Sequence, residues 1–217
     1  MESALRPDLF QLAPVYPITD KTLARRTSHL AILKELARGG AKLVQIRDKR
    51  TPARDLLLDL QRCAEFAQRN DVLLIINDRC DLAMCIGAAG VHLGQDDLPP
   101  QAARKVLGPA KIIGFSTHSP AQVRRSRSMP IQYVGFGPVF DTPTKTDAAA
   151  TVGLAGLRRI CRVAAHPVVA IGGIGLIQVQ EVLRAGAASA AVISALMKAP
   201  SIAREMERFL KAARARE

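Results

Sequence analysis

Short apolar runs rich in β-branched residues alternate with longer stretches whose apolar positions recur every three to four residues, from Val15 almost to the C-terminus. A period of two, or an unbroken apolar run of about five residues, signals a strand, whereas a period near 3.6 signals an amphipathic helix. Strands are expected at 15–19, 42–47, 72–77, 90–94, 111–116, 132–137, 168–172 and 190–194. Helices are expected at 22–38, 53–69, 79–88, 100–106, 120–127, 154–164, 176–185 and 201–213. Thr51-Pro52 and Ser119-Pro120 each set a hydroxyl before a proline, the pattern of a cap followed by the first helical residue. Gly39-Gly40 and Gly186 mark helix ends.

Such an alternation, with no break in composition, most economically closes into a single (β/α)₈ TIM barrel of the α/β class, one domain over 1–217. An open doubly wound sheet is the alternative. That sheet usually carries a glycine-rich turn after its first strand, and Ile18-Thr19-Asp20-Lys21-Thr22 has no glycine. The connection 138–152 is far longer than the roughly two to six residues usual between strand and helix, and is read as an active-site lid.

Composition narrows the partners. Aromatic residues are only 4% of the chain and Trp is absent, so the core is aliphatic and base stacking is a poor expectation. A formal charge of +12 points to anionic partners: nucleic acid, an acidic membrane or phosphorylated metabolites. Cys63, Cys80, Cys85 and Cys161 show no C-x-x-C spacing, which argues against a zinc site or a disulfide framework and suits reduced thiols in the cytoplasm. The first residues lack a signal-peptide pattern, and no apolar run approaches the roughly 18 residues of a membrane span, so no membrane partner is expected.

In a barrel the chemistry sits at the C-terminal ends of the strands. Alternation turns Val44 and Ile46 toward the helices and Gln45, Arg47 and Lys49 inward, presenting an amide and two cations at the mouth. The third strand breaks into Asn77-Asp78-Arg79 and the fourth into His92-Leu93-Gly94-Gln95-Asp96-Asp97. Asp78 and Asp97 suggest a hard-cation site shared with a phosphate, with helix capping or plain surface exposure as the competing role. His92 faces inward, as a substrate contact or a hydrogen-bonded core histidine. His118 reads equally as a loop residue, and His29 and His166 carry no assigned role. Hydroxyls and Lys145 in the long loop suit phosphate wrapping, with solvated loop polarity as the competing reading. Ile171-Gly172-Gly173-Ile174 and Val192-Ile193-Ser194 end the seventh and eighth strands, the usual phosphate pocket of this fold. The run Arg124-Arg125-Ser126-Arg127 reads as a solvated helix face rather than a nucleic-acid patch.

Taken in order, Gln45-x-Arg47-x-Lys49, Asn77-Asp78-Arg79, Val91-His92-Leu93-Gly94-Gln95-Asp96-Asp97, Gly114-x-Ser116, Gly135-x-Gly137-Pro138 with Thr142-x-Thr144-Lys145, Ile171-Gly172-Gly173-Ile174 and Val192-Ile193-Ser194 resemble the thiamine-phosphate synthase family. The likeness runs from about Tyr16 to Ser194. It implies a (β/α)₈ transferase of thiamine biosynthesis that joins hydroxymethylpyrimidine diphosphate to a thiazole phosphate and releases diphosphate, using Mg²⁺. Carried over by position, it implies Asp78 and Asp97 as metal ligands. Arg47, Lys49, Asn77, Ser116 and Lys145 would hold the diphosphate, with Lys49, Ser116 and Lys145 catalytic, and Gln45 and His92 would lie near the pyrimidine. Thr142, Thr144, Gly173, Ile193 and Ser194 would bind the thiazole phosphate. Ala89, Asp141 and the run Ala188-Ser189-Ala190 depart from the family pattern without removing a ligand. The thiazole tautomerase branch of the same superfamily is the nearest alternative, and Gly94-Gln95-Asp96-Asp97 favours the synthase. A basic nucleic-acid-binding protein is disfavoured by topology and scarce aromatics. Assembly into a homo-oligomer is left open.

Overall fold

Eight strands, β1 (Val15–Pro17), β2 (Leu43–Ile46), β3 (Leu73–Asn77), β4 (Gly90–Leu93), β5 (Ile112–Thr117), β6 (Tyr133–Phe136), β7 (Val168–Ala170) and β8 (Ser189–Val192), pair in parallel in the computed structural model. It describes residues 10–142 and 150–215. Each strand pairs with its sequence neighbour, β1 pairs with β8 through Val15–Ala190 and Tyr16–Ala191, and a bridge from Ile18 to Gln45 joins the two ends of the sheet. The backbone N–H of Thr19 completes that closure by donating to Gln45 O at 2.9 Å. The ring therefore leaves no free edge, and the barrel expectation holds over the open sheet.

The helices are α1 (Lys21–Ala24), α2 (His29–Arg38), α3 (Ala53–Arg69), α4 (Cys80–Cys85), α5 (Pro100–Leu107), α6 (Pro120–Arg125), α7 (Gly153–Val163), α8 (Gln178–Arg184), α9 (Ser194–Met197) and α10 (Ile202–Arg214). Three expectations are corrected. The helix read over 22–38 is two helices, because Arg25 adopts a left-handed φ of 50° and Ser28 opens a new helix by accepting from Ala31 N. Thr51 is not a cap: its hydroxyl donates to Asp48 Oδ2 at 2.7 Å, and Pro52 occupies the cap position of α3 without a side-chain bond. The short α9, read from sequence as a strand end, begins at Ser194. Ser119 does cap α6, accepting from Gln122 N, with Pro120 in the first turn.

Strand parity sorts the core into two shells. Val44, Ile46, Leu74, Ile76, Val91 and Leu93 face outward against Leu33, Leu36 and Leu60 of the helices. Tyr16, Leu43, Ile75, Ile112, Tyr133, Val169 and Ala191 fill the barrel, with Phe10, Leu12 and Ala13 packed against that filling. Burying each large side chain contributes roughly 1.5–3 kcal/mol. At the N-terminal rim Arg104 donates to Lys111 O, Pro130 O and Gln132 Oε1, tying the entries to β5 and β6 together. Ala89, one of the family departures, precedes β4 at this rim, away from the site.

Gly114 of β5 makes the filling possible. A Cβ there would lie 2.1 Å from Tyr133 Cζ and 2.4 Å from its hydroxyl, so only hydrogen at this position lets the phenol cross the barrel. Gly114→Ala is expected to destabilise the fold by about 1–3 kcal/mol through overpacking. Urea unfolding checks this: an unchanged midpoint would show that the filling relaxes freely.

Candidate active site

At the C-terminal rim the acidic and basic residues of three adjacent strands meet. Beyond β2, Arg47 Nη1 lies 3.8 Å from Asp20 Oδ2, and Lys49 Nζ reaches across to Asp78 Oδ2 at 3.5 Å. Asp78 follows Asn77, the last residue of β3, with φ of 65°, and its backbone N–H donates to His92 O. The left-handed turn ends strand pairing and frees the carboxylate from a capping role; α4 has no side-chain cap. Arg79 is turned aside and pairs with Asp81.

Asp97 belongs to the turn after β4. Its Oδ2 accepts from Gly94 N at 2.6 Å, and a Cβ on Gly94 would lie a tight 3.1 Å from that oxygen. Gln95 donates to Ser116 O at 2.6 Å and binds this turn to β5. Burial, then contact with the Asp97 carboxyl, pushes the Asp78 carboxyl up to about 6, while Lys49 opposes the rise. Two carboxylates forced together near one lysine form a site short of positive charge. Among the described residues no group of three or more His, Cys, Asp or Glu converges as a metal site. A two-carboxylate site fits Mg²⁺, which is commonly held by one or two carboxylates together with water and substrate phosphates.

Beneath the rim a buried hydrogen-bond chain crosses the barrel. Gln45 Nε2 donates to the Tyr16 hydroxyl at 3.2 Å; the Tyr16 and Tyr133 hydroxyls are 2.9 Å apart; Tyr133 meets His92 Nδ1 at 3.1 Å; and His92 Nε2 meets Ser116 Oγ at 2.8 Å. Each donor is satisfied if every hydroxyl passes its proton onward, so that His92 donates to Ser116 and the Ser116 proton is left to point outward. Burial raises the pKa of both phenols, which keeps them neutral links. Stacking of Tyr133 on the His92 ring, 5.5 Å between centroids, fixes the imidazole plane. His92 and Gln45 are thus members of a polar chain in the barrel core.

A hollow of about 490 Å³ opens beside β7 and β8, lined by Asp141, Thr142, Gly173, Ser194, Lys198 and Glu205 among others. Gly173 has φ of 66°, and a Cβ there would lie 2.4 Å from Asp141 O. Any side chain at 173 would therefore strain the turn and displace the neighbouring loop as well as block approach to the backbone. That loop is pinned at its base: Val139 N and Phe140 N donate to Ile171 O and Gly172 O, and Val152 N donates back to Pro138 O.

The structure thus gathers Gln45, His92 and Ser116 into the buried chain, Lys49, Asp78 and Asp97 into the charged cluster, and Thr142, Gly173 and Ser194 around the hollow. Arg47 and Asn77 stand on the same rim. Ile193 packs its side chain into the core next to Ser194. Thr144 and Lys145, with the rest of 143–149 in the expected lid 138–152, lie outside the described residues. His118 Nδ1 is bonded to Gly137 O and His166 Nε2 to Ser126 O, both loop ties. Sequence reasoning missed Tyr16 and Tyr133, although inward parity on β1 and β6 pointed to them, and Lys198, which no strand pattern marks.

The chain is similar to known proteins over most of its length. The family model described as Thiamine monophosphate synthase matches residues 15–196. A thiamine-phosphate synthase of Methanospirillum hungatei is 43% identical over 195 residues, covering 90% of this chain and 95% of its own length. One from Roseiflexus sp. is 42% identical over 186 residues, 86% of this chain and 79% of its own. Thiamine phosphate pyrophosphorylase from Pyrococcus furiosus superposes with a TM-score of 0.84 at 35% identity, covering 92% of this chain and 94% of that one.

Proposed function

Since the chain belongs to the thiamine monophosphate synthase family, we propose that it joins hydroxymethylpyrimidine diphosphate to hydroxyethylthiazole phosphate, giving thiamine phosphate and diphosphate. The observation that carries this is the cluster Lys49–Asp78–Asp97, whose turn after β4 is tied by Gln95 to Ser116 at the end of a buried polar chain. The reaction breaks the C–O bond of the pyrimidine methylene, whose electron pair leaves with the diphosphate. The thiazole nitrogen then supplies the pair for the new C–N bond. No side chain needs to attack or to remove a proton, which suits a site whose buried phenols and histidine are tied to one another.

Charge grows on the departing diphosphate, so groups aimed there stabilise the transition state more than the bound substrate. Arg47, Lys49 and Asn77 would take its oxygens from β2 and β3, Ser116 would donate its outward proton, and Lys145 would approach from the long loop, read as a lid. Mg²⁺ held by Asp78 and Asp97 would offset the diphosphate charge and make it a better leaving group. Gln45 and His92 would present the polar chain to the pyrimidine. Thr142, Thr144, Gly173, Ile193 and Ser194 would hold the thiazole phosphate in the hollow, with Lys198 as a cation on its wall. The described helices include none long and apolar enough to cross a membrane. Free thiols at Cys63, Cys80, Cys85 and Cys161 support a cytoplasmic setting.

Incubation with both heterocycles and Mg²⁺, following thiamine phosphate and diphosphate together, tests the reading; equal appearance of both supports it, and neither product would overturn it. The thiazole phosphate is chemically unchanged throughout, so contacts to it are uniform binding. Ser194→Ala is therefore expected to raise the KM for thiazole phosphate by about tenfold, the worth of one hydrogen bond to a charged group, with kcat preserved. A lowered kcat at unchanged KM would place Ser194 on the other substrate. Gly173→Val is a poorer probe, because its Cβ also disturbs Asp141 and Phe140.

A further inference from the structure

The turn that carries Arg47 and Lys49 is held from behind by a network the reaction does not use. Asp48 lies between the two cations in sequence, yet its side chain is only 5% exposed. Around its carboxylate stand the backbone N–H groups of Arg50 and Thr51 at 3.0 and 2.9 Å, the Thr51 hydroxyl at 2.7 Å, the Lys21 ammonium at 3.0 Å and His29 Nε2 at 3.1 Å. Burial opposes its charge, but the donors from Thr51, Arg50 and Lys21 hold the carboxyl well below the usual range.

His29 is fully buried at the start of α2, and its backbone N–H donates to Asp59 Oδ2 of α3 at 2.6 Å. Its Nδ1 lies 2.8 Å from Thr19 Oγ1, and that same hydroxyl oxygen accepts from Arg47 N at 3.2 Å. The Thr19 proton is then free to go to Nδ1, which leaves the ring proton on Nε2, facing Asp48. Burial favours this neutral form. One line of bonds therefore runs from the backbone of Arg47 through Thr19 and His29 to the carboxylate that folds the turn at Lys49.

Lys49 needs that anchor. Its side chain is 56% exposed and, among the described residues, forms its ion pair with Asp78, so the position of its ammonium is set mainly by where the turn places its Cα. We propose that His29, acting through Asp48, is a positioning residue that holds Arg47 and Lys49 at the register in which they meet the diphosphate. The inference rests on the reading that these cations bind the diphosphate, and it assigns His29 no contact with substrate.

The test uses the full chain with Mg²⁺ and two variants of His29. His29→Phe keeps the volume and removes both side-chain hydrogen bonds; His29→Gln retains an amide N–H able to donate to Asp48. A misplacement on the order of 1 Å costs about 10²-fold, so His29→Phe is expected to lower kcat by roughly 10- to 100-fold. Inhibition by inorganic diphosphate, and its binding measured by calorimetry, should weaken in parallel. The KM for thiazole phosphate should stay within about twofold, because that phosphate is held from β7 and β8. His29→Gln should recover most of kcat. A folded His29→Phe with unaltered kcat and unaltered diphosphate binding overturns the inference, as does an equal change in both substrate sites, the mark of a merely structural role. If His29→Phe does not fold, Thr51→Val, at the half-buried edge of the same network, carries the test: reduced diphosphate affinity at preserved thiazole KM supports the proposal, and unchanged affinity overturns it. Wild-type chain that neither forms product nor binds diphosphate would instead overturn the functional reading itself.

Discussion

Asp78→Asn is expected to lower turnover by at least about 10²-fold, the scale of losing a main electrostatic contact in the transition state, while making the metal-free chain more stable at neutral pH. Asparagine is the right substitution because position 78 has φ of 65°, a conformation Asn adopts readily and Ala does not. Activity should fall because one of the two carboxylates proposed to hold Mg²⁺ is lost. Stability should rise for a separate reason. Burial and then Asp97 push the Asp78 carboxyl up to about 6 from an ordinary 3.8, so between about pH 4 and pH 6 the folded chain keeps a proton that the unfolded chain has released. Folding stability therefore falls as pH rises through that window and stays lower above it. The variant carries no such penalty, so its advantage in thermal midpoint over the wild type should be absent near pH 4, grow toward pH 6 and then level. Thermal unfolding in chelator at pH 4.5 and 7.5 measures the difference, and steady-state kinetics measures turnover. Equal midpoints at pH 7.5 would show the two carboxyls do not strain each other; full activity in excess chelator would remove the metal from the mechanism.

Loss of Lys49 is expected to have the next largest effect. In Lys49→Ala kcat should drop by about 10²-fold, because the ammonium is aimed at charge that develops only as the C–O bond breaks. The KM for thiazole phosphate should change by less than about twofold, since that substrate is proposed to bind in the hollow beside β7 and β8. Lys145→Ala, if its ammonium meets the same diphosphate, should show the same split. A pattern in which either lysine variant changes only the thiazole KM would show that the two phosphate sites are assigned the wrong way round. The two variants together should lose less than the product of the single losses, because both act on one leaving group.

How much of this was legible depended on the range of each interaction. Period two along β2 and β4 sufficed to turn Gln45 and His92 inward, and the order of strand and helix patterns sufficed for the barrel, because both follow from backbone geometry over a few residues. The acids Asp78 and Asp97 were visible as strand-end residues, but their mutual contact arises only when β3 and β4 pair. The helix break at Arg25 is not legible because a left-handed arginine has no local signature, and Thr51 reads as a cap because its hydroxyl's true partner, Asp48, is chosen only by the folded turn. The meaning of Gly114 lies in Tyr133, and Tyr16 meets Tyr133 across 117 residues of chain, so neither can be found in any window of sequence. Local pattern determined the order of strands and helices, the face each strand buries and most of the polar residues at the rim. Only the closed barrel decided which of those residues touch, because closure brings distant strand ends within hydrogen-bond reach and removes the water that would otherwise satisfy each of them separately.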